Sequence, residues 1–135
     1  MAKTDPTVFV VDDDAAVRSS MCWLISSLNL PVQAFASALD FLDAVAPTRS
    51  GCVIVDVKMP GMSGLRLQQE IKDRYPNMAT IVMSAYGSPD TAARAVADGA
   101  LAYIEKPVND QVLIDLVCRG IGLTPGESPQ QALPI

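Results

Sequence analysis

The chain predicts an α/β fold with a parallel sheet covered by helices on both faces. Two observations carry this. Five short apolar runs rich in β-branched residues, "TVFVV", "PVQAF", "GCVIV", "ATIVM" and "ALAYI", read as strands. Four of the five show near-continuous apolarity rather than polar alternation, the pattern of strands buried on both sides. Segments with helical apolar spacing fill the gaps, so strand and helix alternate five times, as in a sheet built from crossover connections.

The elements follow in order. After "TVFVV", a helix over 14–28 places Val17, Met21, Leu24, Ile25 and Leu28 on one face, with Asp14 as its N-cap. "PVQAF" is the faintest strand. Ser37 caps a second helix running to Val45, which brings Leu39, Phe41 and Leu42 together. "GCVIV" precedes a helix over 64–74 that carries Leu67 and Ile71 and stops before Pro76. After "ATIVM", an alanine-rich helix over 89–98 (Ala92, Ala93, Ala95, Ala97) opens with Ser88-Pro89 and closes at Gly99. After "ALAYI", a helix over 109–119 aligns Val112, Leu113, Leu116 and Val117. The last residues, "IGLTPGESPQQALPI", are Pro/Gly/Gln-rich and aperiodic, a linker or tail.

Composition narrows the chemistry. A chain of 135 residues, half of them apolar, suits one domain with a real core. Its net charge of −5 and lack of any basic run argue against direct nucleic-acid binding. It has no histidine, which removes imidazole metal ligands and any Ser-His-Asp or Cys-His machinery. Cys22, Cys52 and Cys118 lack a paired spacing and read as reduced core thiols of a cytoplasmic protein. No apolar stretch is long enough to span a bilayer, and "MAKTDPT" is not a signal peptide.

The polar residues that remain fall just past the apolar runs. Asp12 and Asp13 follow the first strand, Asp56 the third, Ser84 the fourth and Lys106 the fifth. In open parallel sheets ligands bind at this carboxyl edge of the strands. Three convergent carboxylates repel and raise one another's pKa values. A hard divalent cation such as Mg2+ removes that conflict, because it takes oxygen ligands and commonly binds one or two carboxylates beside a phosphate. With a cation present, Asp56 is placed to act as a nucleophile and form an aspartyl-phosphate. Lys106 adds a second positive charge for the phosphoryl oxygens, and Ser84 a hydroxyl donor. Pro107 fixes the loop after Lys106, through a trans or a cis bond. Gly61 and Gly64 read as backbone geometry in the loop after Asp56.

On "VVDDD", "VIVDVKMPGMSG", "IVMSAYG" and "AYIEKPV", in this order and spacing, the chain resembles bacterial response-regulator receiver domains of the CheY-like family. "VKMPGMSG" and "EKPV" look most like the branch typified by FixJ. The resemblance covers 7–121, leaving 1–6 as an arm and 122–135 as a tail or a linker to an absent output domain. It implies a doubly wound five-stranded sheet in the order 2-1-3-4-5. It makes Asp56 the phosphorylated residue, with Asp13 and Asp56 binding Mg2+ (Mn2+ as alternative), Asp12 through water and Lys58 through its backbone carbonyl. Lys106, Ser84 and the Ala85 backbone would bind phosphate, and Ser84 and Tyr103 would switch together. Pro60, Gly61 and Pro107 would shape the loops.

The implied partner is a sensor histidine kinase, with output through a phosphorylation-dependent homodimer built on the fourth helix and fifth strand. No membrane or direct nucleic-acid contact by this segment is expected. The implied chemistry is confined to the chain's own phosphoryl transfer and autodephosphorylation, so it is not expected to be an enzyme acting on outside substrates. Aspartyl-phosphate phosphatases typically carry a second acid where this chain has Lys58, and a flavodoxin-like binder would not place "DDDAAV" against a phosphate. A single-domain shuttle or interaction module is the alternative to a transcription regulator. Tyr86, two residues past Ser84, is a candidate gate for water reaching the phosphate.

Overall fold

The computed structural model describes residues 6–85 and 87–122. The elements run β1 (Thr7–Val11), α1 (Ala15–Ser26), β2 (Val32–Phe35), α2 (Ala38–Ala44), β3 (Gly51–Asp56), α3 (Gly64–Arg74), β4 (Met78–Ser84), α4 (Pro89–Ala97), β5 (Ala102–Glu105) and α5 (Asp110–Gly120). All strand pairings are parallel and the sheet order is β2-β1-β3-β4-β5. This is the doubly wound five-stranded architecture predicted. The expected arm and tail lie outside the described residues apart from Pro6 and Gly122.

Alternate strand residues feed two cores, since successive side chains point to opposite faces of a sheet. Val8, Val10, Cys52, Ile54, Ile81 and Met83 meet α1 and α5 through Met21, Ile25, Leu113, Leu116 and Val117. Phe9, Val11, Val53, Val55 and Val82 meet α2, α3 and α4 through Phe41, Leu67, Ile71 and Ala95. Phe9 and Phe35 each meet Phe41 edge-on, with centroids 5.6 and 5.7 Å apart, a favoured aromatic geometry. β2 is a short edge strand with partly exposed residues, which is why its sequence signal is weak.

The predicted helix boundaries differ by at most two residues. Asp14, Ser37 and Asn109 stand outside their helices as caps: each side chain accepts a backbone N–H of the first turn. The first helix ends at Ser26, and Asn29, at φ 62°, turns the chain toward β2. Leu39 does not join Phe41: it is 57% exposed, on the solvent side of α2. Of the cysteines, Cys52 and Cys118 are buried, and Cys22 is only half-buried; all three are free thiols.

Two glutamines tie α4 to α3. Gln68 Nε2 donates to the Ala95 carbonyl at 2.8 Å, and Gln69 Nε2 to Asp98 Oδ2 at 3.3 Å. Ala95 is the buried residue of α4, so this helix is the most lightly packed of the layer.

Candidate functional site

Strand register builds the site. Val11 pairs with Val55 and Asp56 with Met83, so Asp12 leaves the sheet beside Asp56 at the carboxyl edge. One carboxylate oxygen each from Asp12, Asp13 and Asp56 lies within 4.8 Å of the others. Asp12 is fully buried and Asp56 nearly so, whereas Asp13 is exposed. Asp14 belongs to the α1 cap: its Oδ1 accepts from the Ala16 and Val17 amides at 2.9 and 3.3 Å.

Lys106 enters from the loop after β5. Ser84 pairs with Glu105, and the Lys106 amide donates to the Ser84 carbonyl at 2.9 Å. The Lys106 ammonium then reaches Asp12 Oδ2 at 2.9 Å and Asp56 Oδ1 at 3.3 Å. The Lys106–Pro107 peptide is cis.

These charges shift one another. Burial pushes the Asp56 carboxyl above its usual range, the Asp12 charge adds to the rise, and Lys106 works against both. Burial disfavours the Lys106 ammonium, but its hydrogen bond to Asp12 and the charges of Asp12 and Asp56 outweigh that, and its pKa is raised. The described contacts thus set Asp12, Asp13 and Asp56 around the Lys106 ammonium. The donors are oxygens on a rigid frame, among them the exposed Asp13, unpaired among the described residues. That set fits a hard divalent cation.

The remaining predicted residues surround this cluster. Ser84 is buried at the end of β4, and Ala85 lies beside Lys106 in an open groove of about 540 Å³ that α1 and Leu113 also line. Lys58 follows Asp56 by two residues with an exposed side chain. Pro60 and Gly61 form the bend before α3, Gly61 at φ 78°. Tyr103 is half-buried on β5 and packs with the α2–α4 core. Its hydroxyl is buried and has no hydrogen-bond partner among the described residues. A side chain at Gly87 would place its Cβ 1.6 Å from that hydroxyl, so the bare glycine is what lets the ring lie inward. Tyr86 falls outside the described residues.

Three contacts were not predicted, although Gly64 itself reads from sequence as a position of backbone geometry. Gly64 brings α3 against β3: a Cβ there would sit 2.1 Å from the Asp56 carbonyl oxygen. Asp12 Oδ1 accepts the Asp14 amide at 2.9 Å. Arg18 Nη1 donates to the Asp12 carbonyl at 2.7 Å. The only sequence signal for the last was a cation one helical turn after Asp14.

The family model described as response regulator receiver domain matches residues 8–118. Transcriptional regulatory protein TdiR of Thauera aromatica is 46% identical over 117 residues, which span 87% of this chain and 52% of that protein. Transcriptional regulatory protein FixJ of Azorhizobium caulinodans is 41% identical over 124 residues, 92% of this chain and 59% of that protein. This chain thus spans little more than half the length of these curated relatives. Among solved structures, response regulator StyR superposes with a TM-score of 0.82 at 35% identity, covering 88% of this chain and 60% of that one. FixJ-N superposes with a TM-score of 0.79 at 33% identity, covering 89% and 96%. None of the helices among the described residues is long and apolar enough to cross a membrane.

Proposed function

This chain belongs to the response regulator receiver domain family of two-component signalling, and from that premise we propose that Asp56 accepts a phosphoryl group from the phosphohistidine of a sensor kinase. The observation that carries this is the gathering of Asp12, Asp13 and Asp56 within 4.8 Å, with Lys106 bridging two of them. The P–N bond to the donor imidazole breaks as a P–O bond to the Asp56 carboxylate forms. Asp56 must be ionised to attack, and Lys106 favours that form against the effect of burial.

Asp13 and Asp56 would hold Mg2+ directly, Asp12 through water, and the Lys58 carbonyl would complete the protein ligands. When bound, the ion offsets charge on the transferring phosphoryl oxygens. Lys106 swings from Asp56 to those oxygens, and Ser84 and the Ala85 amide close around them. The hydroxyl of Tyr103, unsatisfied in its inward position, gains by turning out with that movement. Catalysis is limited to the chain's own phosphorylation and autodephosphorylation.

Val96 and Val112 are exposed apolar side chains of α4 and α5, and α4 packs beside β5 to make a face at that edge of the sheet. That face is where a phosphorylation-dependent homodimer would form. Output through transcription follows the names of the longer relatives TdiR and FixJ. The net charge of −5 leaves nucleic-acid binding to another segment or partner.

The test is an intact mass after incubation with acetyl phosphate and Mg2+. A gain of one phosphoryl group, lost with EDTA and in Asp56→Asn, is expected. No gain, together with no binding of Mg2+ or beryllofluoride, would refute the mechanism.

A further inference from the structure

Asp12 has every polar atom engaged. Its amide donates to the Phe35 carbonyl at 3.1 Å, Oδ1 accepts from Asp14 and Oδ2 from Lys106, both at 2.9 Å. The last atom, the carbonyl oxygen, accepts from Arg18 Nη1 at 2.7 Å. Asp13 is the opposite case. It is exposed, and among the described residues neither a hydrogen bond nor an ion pair holds its side chain.

The two residues share one peptide plane. The Asp12 carbonyl and the Asp13 nitrogen are rigidly coupled because the peptide bond does not twist. A grip on that carbonyl therefore fixes the direction in which the Asp13 Cα and its carboxylate leave the chain. Arg18 is half-buried in α1, whose own start is fixed by the Asp14 cap. It links the rigid helix to the one peptide that aims the exposed acid, and the bond is charge-assisted.

We infer that Arg18 is a positioning residue for the cation site: it holds the Asp12–Asp13 peptide so that the Asp13 carboxylate faces Asp56. This rests on the reading of Asp13 as a Mg2+ ligand given above. A purely electrostatic role predicts the opposite sign, since a nearby positive charge opposes a dication and its removal tightens binding.

The experiment titrates Mg2+ into wild type, Arg18→Ala, Arg18→Lys, Asp13→Asn and the Arg18→Ala/Asp13→Asn double variant, followed calorimetrically. Amide exchange of Asp13 and Asp14 is measured in parallel without metal. Arg18→Ala is expected to weaken Mg2+ binding at least fivefold, with Arg18→Lys restoring it to within about twofold. In the Asp13→Asn background, loss of Arg18 should change the affinity by less than twofold, because the group it positions is gone. The Asp13 and Asp14 amides should exchange several-fold faster in Arg18→Ala. Unchanged or tighter Mg2+ binding by Arg18→Ala would overturn the inference, as would an equal loss in both backgrounds. If wild type itself binds no Mg2+, the metal reading fails, and the exchange rates alone decide whether Arg18 holds the peptide.

Discussion

Lys106 and Asp12 lie 94 residues apart in sequence, yet the Lys106 ammonium donates to Asp12 Oδ2 at 2.9 Å. Asp12 is wholly buried and Lys106 mostly so, so each supplies the other's counter-charge where water has little access. Removing the cation alone strands two carboxylates. We predict that Lys106→Met lowers unfolding free energy at pH 7 by about 2–3 kcal/mol, less than for a fully buried pair because the ammonium still meets solvent. Urea denaturation without metal measures it, and a loss under about 0.5 kcal/mol would mean that the pair contributes little.

Asp56 behaves in the opposite sense. Its folded pKa is raised above 3.8, so the folded state holds this proton more tightly than the unfolded chain does. Stability from this group is therefore lost as pH rises from the unfolded value through the folded one. Asp56→Asn should raise metal-free stability at pH 7 by about 1 kcal/mol, an ordinary single-site effect in size but of unusual sign. The difference should vanish near pH 3. Thermal midpoints of both proteins from pH 3 to 8 read this directly.

At the alkaline end Lys106 governs. Its folded pKa lies above 10.5, so its stabilisation is complete below that value and lost only as pH climbs through the folded pKa. A denaturation profile of wild type minus Lys106→Met should stay flat up to about pH 10 and then shrink. Shrinkage already at pH 8–9 would contradict the raised pKa.

Mg2+ should stabilise the fold by mass action. With the free ion at 100 times its dissociation constant, the gain is about 2.7 kcal/mol. Asp13→Asn should remove most of it, while Asp14→Asn, which keeps a capping oxygen, should leave it intact. An equal response of all three proteins would mean that the ion binds elsewhere.

Gly61, in the loop after β3, and Gly64, the first residue of α3, make a contrasting pair. Gly64→Ala drives a methyl group to 2.1 Å from the Asp56 carbonyl oxygen, and should cost more than about 3 kcal/mol or abolish folding. Gly61→Ala meets no atom within 4 Å but must adopt φ 78°, so its cost should be about 1 kcal/mol. Comparing denaturation midpoints separates close approach from backbone preference.

The fold was legible because β1, β3 and β4 are almost wholly apolar and each runs up to a polar residue, Asp12, Asp56 and Ser84, a pattern with few alternatives. The acids, Ser84 and Lys106 could be placed for the same reason: position at the end of a strand fixes position in space. What sequence could not supply were contacts that depend on side-chain reach. Arg18 reads as an ordinary helix-surface cation until its 2.7 Å bond to the Asp12 carbonyl is seen. Gln68 reads as a polar position on α3, yet it is 1% exposed and holds α4. Gly87 reads as a turn residue, whereas its lack of a side chain is what accommodates Tyr103. Leu39 failed in the other direction, as an apolar residue that the short α2 turns to solvent.

The pairing of Val11 with Val55 has a consequence for how the protein can fail. Because strand side chains alternate, sliding β1 by a single residue against β3 would carry Phe9 and Val11 out of one core and Val8 and Val10 out of the other. The same slip would turn Asp12 away from Asp56. A one-residue slip therefore breaks up the acids and both cores at once. On the proposal that these acids hold a divalent cation, cation affinity becomes a proofreading signal for strand alignment: a preparation in which β1 had slipped by one residue would lose the ion together with its packing.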